Sequence, residues 1–383
     1  MSWESVIGQD RAKTILRSSI SHDRVSHAYL FSGPEGVGKD AMAIEFAKTL
    51  NCDRRSDESC GSCVSCSRIS ILQHPNVRFV HALPVGKNET AGDPPLLRLT
   101  ESDLSLVRDE IAKKSANLYH KLSIPRATNI KINSVREIRR ESALTLVSTG
   151  KRVFIFSGAE DMSDEAANSL LKTLEEPHED TILVLTTSHP EQLLPTILSR
   201  CQHIRFDPLR EVDISEALQQ RKGLPAAEAC IIAQLARGSY LLASEMTGTS
   251  VAERRLEAVG FLRLALYLPR PDLLAEIERL STSYPRTEME AFLMLLQSWL
   301  HDAMLVHEGL ETTAHETEAL GKFVRHHAAA EYVHAIGSID RAISLLNKNV
   351  YIPLILIQMA ITLQKNIFGS SLKTRGAALE TGV

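Results

Sequence analysis

A short apolar run, Ala28-Tyr29-Leu30-Phe31-Ser32, passes directly into Gly33-Pro34-Glu35-Gly36-Val37-Gly38-Lys39-Asp40. A helical pattern comes next, with Met42, Ala43, Phe46, Ala47 and Leu50 on one side. Strand, glycine-rich turn and helix, in that order, is the setting in which such a sequence forms a phosphate-binding P-loop. The glycines let backbone N–H groups converge on phosphate oxygens, and the helix adds the positive end of its dipole. Lys39 reaches the β- and γ-phosphates in such a loop, and the next residue is normally a Ser or Thr that ligates Mg²⁺. Here that residue is Asp40. A carboxylate cannot copy a neutral ligand, and at about 4 Å from a phosphate oxygen it is repelled by roughly 4 kcal/mol at an effective dielectric near 20. Two roles remain open for Asp40: ligand of the metal itself, or partner of Lys39.

Three further apolar runs read as buried strands: Val153-Phe154-Ile155-Phe156, Ile182-Leu183-Val184-Leu185-Thr186 and His203-Ile204-Arg205-Phe206. Between the first two lies a helix, capped by Ser163, with Asp164 and Glu165 at its positive end and Pro177 after its close. Strands alternating with helices predict an α/β fold with a parallel sheet covered on both faces. After Pro208 the strand pattern stops. A small helical unit is expected over 209-250. Long amphipathic helices are expected over 251-368, broken at Pro269-Arg270-Pro271, Tyr284-Pro285 and Gly309. A small, polar, flexible tail is expected over 369-383.

One stretch, 83-128, interrupts this pattern. Its start, from Lys87 to Pro95, reads as an exposed loop. Thr100 and Asp103 then form a capping pattern ahead of Leu104, Val107, Ile111 and Leu118. A loop-and-helix insertion is expected there, as an elaboration of the surface.

The hydrolytic parts of a P-loop enzyme are incomplete. An Asp, often with a Glu beside it, is needed at the end of a neighbouring strand. Phe156 is instead succeeded by Ser157-Gly158, with Glu160 and Asp161 arriving three residues late, where they read as a solvated loop or the approach to a helix. In contrast, Ser199-Arg200-Cys201, just ahead of the last strand, is the kind of site that supplies an arginine to a neighbour's ATP. Such a finger contributes about 10³–10⁵ in rate.

Cys52, Cys60, Cys63 and Cys66 form C-x7-C-x2-C-x2-C. Four thiolates at this spacing suit a closed, structural, tetrahedral Zn²⁺ site. Neither Cys201 nor Cys230 has a partner at such spacing. The composition excludes other classes. The 383 residues allow two or three domains; 44% hydrophobic and 23% charged content is ordinary for a soluble globular chain. A net charge of -4 and 5% aromatics speak against a general polyanion surface or a base-stacking platform. No secretory signal is visible, and the apolar stretch from Val350 to Leu363 is too short to span a bilayer and contains Pro353 and Gln358. A cytoplasmic protein is expected.

These residues resemble a known family. Val6-Ile7-Gly8-Gln9, the run His27 to Pro34, the four-cysteine insert (51-71), the run Ala166 to Pro177 containing Leu-Leu-Lys-Thr-Leu-Glu-Glu-Pro, and the run Leu194 to Cys201 are similar to the delta-prime subunit family of bacterial DNA polymerase III clamp loaders, within the AAA+ proteins. The C-terminal half matches only in its helical character and in Asn347-Lys348-Asn349-Val350. The resemblance implies a P-loop AAA+ core (1-208), a helical lid (209-250) and an all-α collar (251-368) that joins a hetero-pentameric ring with gamma/tau and delta subunits. That ring, part of the DNA-directed DNA polymerase III holoenzyme, loads the sliding clamp onto primed DNA. In the family, motor subunits carry an arginine in the lid after Gly-Ser. Here Gly238-Ser239 is followed by Tyr240-Leu241-Leu242, so that arginine is missing. Asp40, Ser157-Gly158 and the leucines together match a subunit that does not hydrolyse ATP but offers Arg200 to a neighbour. The degenerate nucleotide site then comprises Gly33, Gly36, Gly38, Lys39, Asp40 and Thr187, the last in the family's sensor strand. ATP binding at this site stays open. The competing expectations are an active gamma/tau-type ATPase and a zinc-dependent DNA-binding module.

Overall fold

The computed structural model describes residues 3–54, 56–90, 92–144, 149–247, 251–267, 270–310, 317–348 and 350–368. The expected tail (369–383), Pro269, Asn349 and the last three residues of the expected lid lie outside the described residues. Two compact units are present, Met1–Glu245 and Met246–Val383.

The first unit is built on five parallel strands: β1 (Ala28–Ser32), β2 (Val77–Val80), β3 (Arg152–Ser157), β4 (Thr181–Thr187) and β5 (Gln202–Arg205), in the order β2-β3-β4-β1-β5. The three inner strands read as continuous apolar runs because both sides are buried. Alternate residues Leu30, Phe154, Phe156, Leu183 and Leu185 form one core with Val135 and Ile138 of the helix Ile132–Ser142 and Leu170 and Leu174 of the helix Asp164–Glu175. On the remaining side chains of β1 sits the P-loop helix α2, with Tyr29 edge-on to Phe46 at 5.2 Å.

The helices in chain order are α1 (Asp10–Ser21), α2 (Lys39–Leu50), α3 (Val64–Ser70), α4 (Glu101–Ala116), α5 (Ile132–Ser142), α6 (Asp164–Glu175), α7 (Pro195–Leu198), α8 (Glu211–Lys222), α9 (Ala226–Leu235) and α10 (Tyr240–Met246). The expected caps are real. Ser163 accepts from the Ala166 N–H, and Thr100 accepts from the Asp103 N–H. One strand escaped the sequence reading: β2 is four residues long at a sheet edge, with Arg78 exposed, so it lacks the apolar run that marks its neighbours.

The second unit contains α11 (Val251–Tyr267), α12 (Arg270–Ser283), α13 (Arg286–His307), α14 (Thr317–His326), α15 (Tyr332–Asn347) and α16 (Ile352–Phe368). The long α13 is its axis, burying Leu293, Leu296, Trp299 and Leu300. Val333, Tyr351, Leu354 and Ile361 remain exposed. The structure therefore has the expected fold class, a P-loop AAA+ core with a parallel sheet followed by helices. No described helix is long and apolar enough to cross a membrane.

Leu170 is fully buried between α6 and the sheet. Leu170→Ala should cost about 2–5 kcal/mol through lost transfer energy and a residual cavity. Urea unfolding of the first unit's transition checks this; a loss below about 0.5 kcal/mol, the usual limit for a surface site, would contradict the packing described.

Candidate functional site

β1 ends at the glycine loop, and α2 starts directly after it. Gly36 (φ 77°) and Gly38 (φ 97°) hold left-handed conformations that a side chain resists. Space forbids a Cβ as well. At Gly36 it would run into Ser239 Oγ and Leu241, and at Gly38 it would lie 2.8 Å from the Tyr119 hydroxyl. The Tyr240 N–H donates to Gly36 O at 3.0 Å, so the start of α10 rests on the loop.

Lys39 is folded back onto this loop. Its Nζ donates to Gly33 O (2.7 Å), Pro34 O (2.7 Å) and Ser188 Oγ (3.1 Å). Burial pushes its pKa down, against the pull of Asp40 and Glu160. Asp40 does not pair with it. The Asp40 carboxylate instead takes Lys114 Nζ at 2.8 Å and Ser157 Oγ at 2.7 Å on Oδ2, and Thr186 Oγ1 at 2.6 Å on Oδ1. Burial alone would raise the Asp40 pKa; the Lys114 charge and the three hydrogen bonds outweigh it and hold the carboxyl below its ordinary value. Ser157 ends β3, where a hydrolytic site needs its metal-binding Asp, and it stands beside Thr186 of β4 in register. The place a metal ion would hold beside residue 40 thus receives a protein ammonium.

Lys114 comes from the insertion, which is more than the surface elaboration expected. Leu83, Leu99, Val107 and Ile124 give 83–128 a small core of its own. After α4 the chain turns back toward the P-loop. Glu110 secures this turn by accepting from the Ser123 N–H (2.8 Å), His120 Nε2 (2.9 Å) and Lys113 Nζ (2.7 Å). Its pKa falls to about 2, because those partners outweigh a burial that would raise it. Lys114 also donates to His120 O at 2.8 Å. The turn carries Tyr119 against Gly38, where its hydroxyl accepts from the Ile7 N–H at 2.8 Å. A cavity of about 480 Å³ remains, lined among others by Lys39, Asp40, Lys114, Glu160 and Thr187. Glu160 is no solvated loop residue. It is half-buried, and its Oε1 accepts from the Ser188 N–H at 2.8 Å.

Arg200 does not belong to this cavity. It follows α7, donates to Thr196 O (3.0 Å), and forms a half-exposed pair with Glu175 (2.9 Å) at the end of α6. The four cysteines form a separate centre beside α3. Their Sγ atoms all lie within 4.8 Å of one another. The N–H groups of Cys60, Cys63 and Cys66 donate to the sulfurs of Cys52, Cys60 and Cys63 at 3.3, 3.3 and 3.4 Å. Four sulfurs around one tetrahedral ion stand about 3.8 Å apart. The set is therefore close to the arrangement a metal requires, and it could bind one.

A family model described as DNA polymerase III, delta subunit, matches residues 8–210. The chain belongs to this family. It is 34% identical over 226 residues to DNA polymerase III subunit delta' of Bacillus subtilis, covering 59% of this chain and 56% of that protein. It is 30% identical over 236 residues to subunit delta' of Pseudomonas aeruginosa, covering 61% and 60%. Subunit tau of Bacillus subtilis is 32% identical over 206 residues, covering 54% and 28%. The matched parts thus span less than two thirds of these relatives' lengths. The family match includes the P-loop, the cysteines, the insertion and Arg200.

Within this family member, the sequence picked out Asp40 but missed Lys114, Tyr119 and the bond from Thr186. Local signals for them were poor: a lysine on a helix and a tyrosine in a loop are usually solvent-facing or core.

The Asp40–Lys114 pair can be tested by stability. Lys114→Met strands a largely buried carboxylate beside the cavity and should cost about 1–3 kcal/mol, much of it recovered by adding Asp40→Asn. A folded-state pKa below the ordinary 3.8 means that Asp40 stabilises fully above that value and loses this effect as pH falls through the depressed one. Asp40→Asn should therefore cost a constant amount from neutral pH to about pH 5, and progressively less below the ordinary carboxylate range. Urea midpoints measured across pH decide it; a cost that grows on acidification would contradict the pairing.

Proposed function

We propose that this chain is a delta-prime-type, non-hydrolysing subunit of a bacterial clamp loader of DNA polymerase III. The observation that carries this reading is the engagement of Asp40 by Lys114, Ser157 and Thr186: an ammonium offsets its charge, and both oxygens already accept hydrogen bonds where a catalytic metal would need a ligand. Family membership and the delta' relatives support it. In this reading the subunit joins gamma/tau and delta subunits in a hetero-pentameric ring in the bacterial cytoplasm, and the ring places the sliding clamp on primed DNA. Residues 209–250 act as a lid and 251–368 as the collar. Exposed Val333, Leu354 and Ile361 are the type of apolar surface a ring contact covers. Arg200, held by a half-exposed pair with Glu175 and a bond to Thr196 O, swings to the ATP of a neighbour. Such exposed pairs are worth under about 1 kcal/mol, so releasing Glu175 costs little.

The competing reading, an active gamma/tau-type ATPase, draws support from Glu160, whose Oε2 is buried without a hydrogen-bond partner. It still lacks a metal ligand at residue 40 and the acidic pair at Ser157-Gly158. The purified chain should show no Mg²⁺-dependent ATP turnover above background; steady hydrolysis would favour the competitor. Arg200→Ala should leave folding and incorporation intact while lowering DNA-stimulated hydrolysis and clamp loading by the assembled ring. Equal loading rates for rings built with either chain would reduce Arg200 to an ordinary surface charge.

For the cysteine centre we propose structural Zn²⁺, held by Cys52, Cys60, Cys63 and Cys66 and stabilising the 51–71 insert. Metal analysis should return about one zinc per chain. Cys63→Ser should lose it and lower the stability of this insert. A metal-free natural chain, or full occupancy in the variant, would refute the assignment.

A further inference from the structure

The loop between Cys52 and Cys60 reaches beyond its own centre. Asp57 O accepts the indole Nε1–H of Trp3 at 3.0 Å, and Trp3 is only 4% exposed. A buried indole brings a large apolar surface and one N–H that needs an acceptor, so this bond fixes where Trp3 sits. Arg17 of α1 adds a tie, with Nη2 at 2.7 Å from Glu58 and 3.4 Å from Asp57, but all three side chains are partly in water and the pairs contribute little.

From Trp3 the chain runs as a strap to Gln9, with Val6 and Ile7 buried. Arg221, in the last turn of α8, donates from Nη2 to Ser5 O at 2.8 Å and to Glu4 O at 3.3 Å. The Ile7 N–H donates to the Tyr119 hydroxyl at 2.8 Å. The Gln9 side chain donates to Asp207 O (2.7 Å) and to Val37 O in the glycine loop (3.3 Å). Gly8 and Gln9 both hold left-handed conformations, at φ 54° and 58°. For Gln9, which has a Cβ, that conformation is costly and lasts only where contacts on either side enforce it. The strap is therefore anchored at one end by the cysteine loop and at the other by α8 and the glycine loop. The cysteine loop has a sulfur at each end. Without a metal to join them, the thiols offer one another only weak contacts, such as Cys60 to Cys66 at 4.0 Å.

We propose that the cysteine centre positions the N-terminal segment and, through it, α8. With its metal bound, the Cys52–Cys60 loop holds the Asp57 carbonyl still, Trp3 seats on that carbonyl, and the strap to Gln9 carries this order to α8. Trp3 is the positioning residue. The inference rests on the zinc reading of the cysteines, which metal content tests separately.

Coupling of this kind is reciprocal: Trp3 does for the metal what the metal does for Trp3. The experiment loads the full chain with Zn²⁺ and measures its affinity by competition with a chelator. Trp3→Ala should weaken Zn²⁺ binding about tenfold, although it alters no sulfur. Trp3→Phe, which keeps a buried ring but loses the N–H, should weaken it about threefold. Hydrogen exchange then compares the loaded natural chain with the same chain stripped of metal. The Val6 and Ile7 amides, bonded to Trp3 O and to Tyr119, should exchange about tenfold faster after stripping. The last turn of α8 should also exchange faster, while β4 stays unchanged. Unaltered exchange at Val6 and Ile7, or in α8, overturns the inference. So does unaltered Zn²⁺ affinity in a folded Trp3→Ala. Should that variant not fold, or should stripping open β4 as well, Trp3→Phe decides by its affinity, and a natural value there overturns the inference alone. A natural chain that takes up no zinc overturns the zinc reading and the inference with it.

Discussion

The first unit turns on one ion pair between a buried lysine and a largely buried carboxylate. Asp40, at the start of the P-loop helix, holds Lys114 from the insertion, Ser157 from the end of β3 and Thr186 from β4. A single carboxylate thereby connects the loop, two strand ends and a segment 74 residues away in sequence. Taking two charges out of water is costly, and such a pair adds little net stability over an apolar substitute. Its effect is on arrangement: once Asp40 is buried, removing any one partner leaves a charge or a polar group unpaired. The insertion is consequently tied to this one position on the P-loop.

The same pair explains why the local departures from a working nucleotide site belong together. An Asp at residue 40 excludes the neutral metal ligand. A Ser at the end of β3 then donates a hydrogen bond to that Asp, where a second carboxylate would repel it. Lys114 answers the same carboxylate with its charge at 2.8 Å. Tyr240 and Leu241 close over Gly36 without adding another cation. Each change is tolerated because the others are present, and restoring one alone would leave the site mismatched.

Arg200 and the cysteines obey different rules. Arg200 is held only through surface contacts, as suits a group whose proposed target lies on another subunit. The cysteines draw donors from their own backbone turns, so that their geometry is local and owes little to the rest of the fold. Between these extremes sits the Asp40 network, which exists only when distant elements have docked.

That contrast marks what the sequence determined. The P-loop was legible because strand, glycines and helix are contiguous; so were the inner strands, as buried parallel strands are apolar throughout; so was the cysteine centre, whose ligands all fall between Cys52 and Cys66. The absence of the usual Ser or Thr at residue 40 could be read from Asp40 alone. The short edge strand β2 could not be read, since half of it faces solvent and carries no continuous apolar run. The sequence also left the partner of Asp40 open, and Lys39, its neighbour, was one of the two roles offered. Only the tertiary structure chose Lys114, and only it seated Tyr119 on the Ile7 amide 112 residues away. Periodicity and spacing report contacts within an element or a turn, whereas these two are made by packing an insertion back onto the sheet's end. Their energies depend on burial, which no local stretch of sequence encodes.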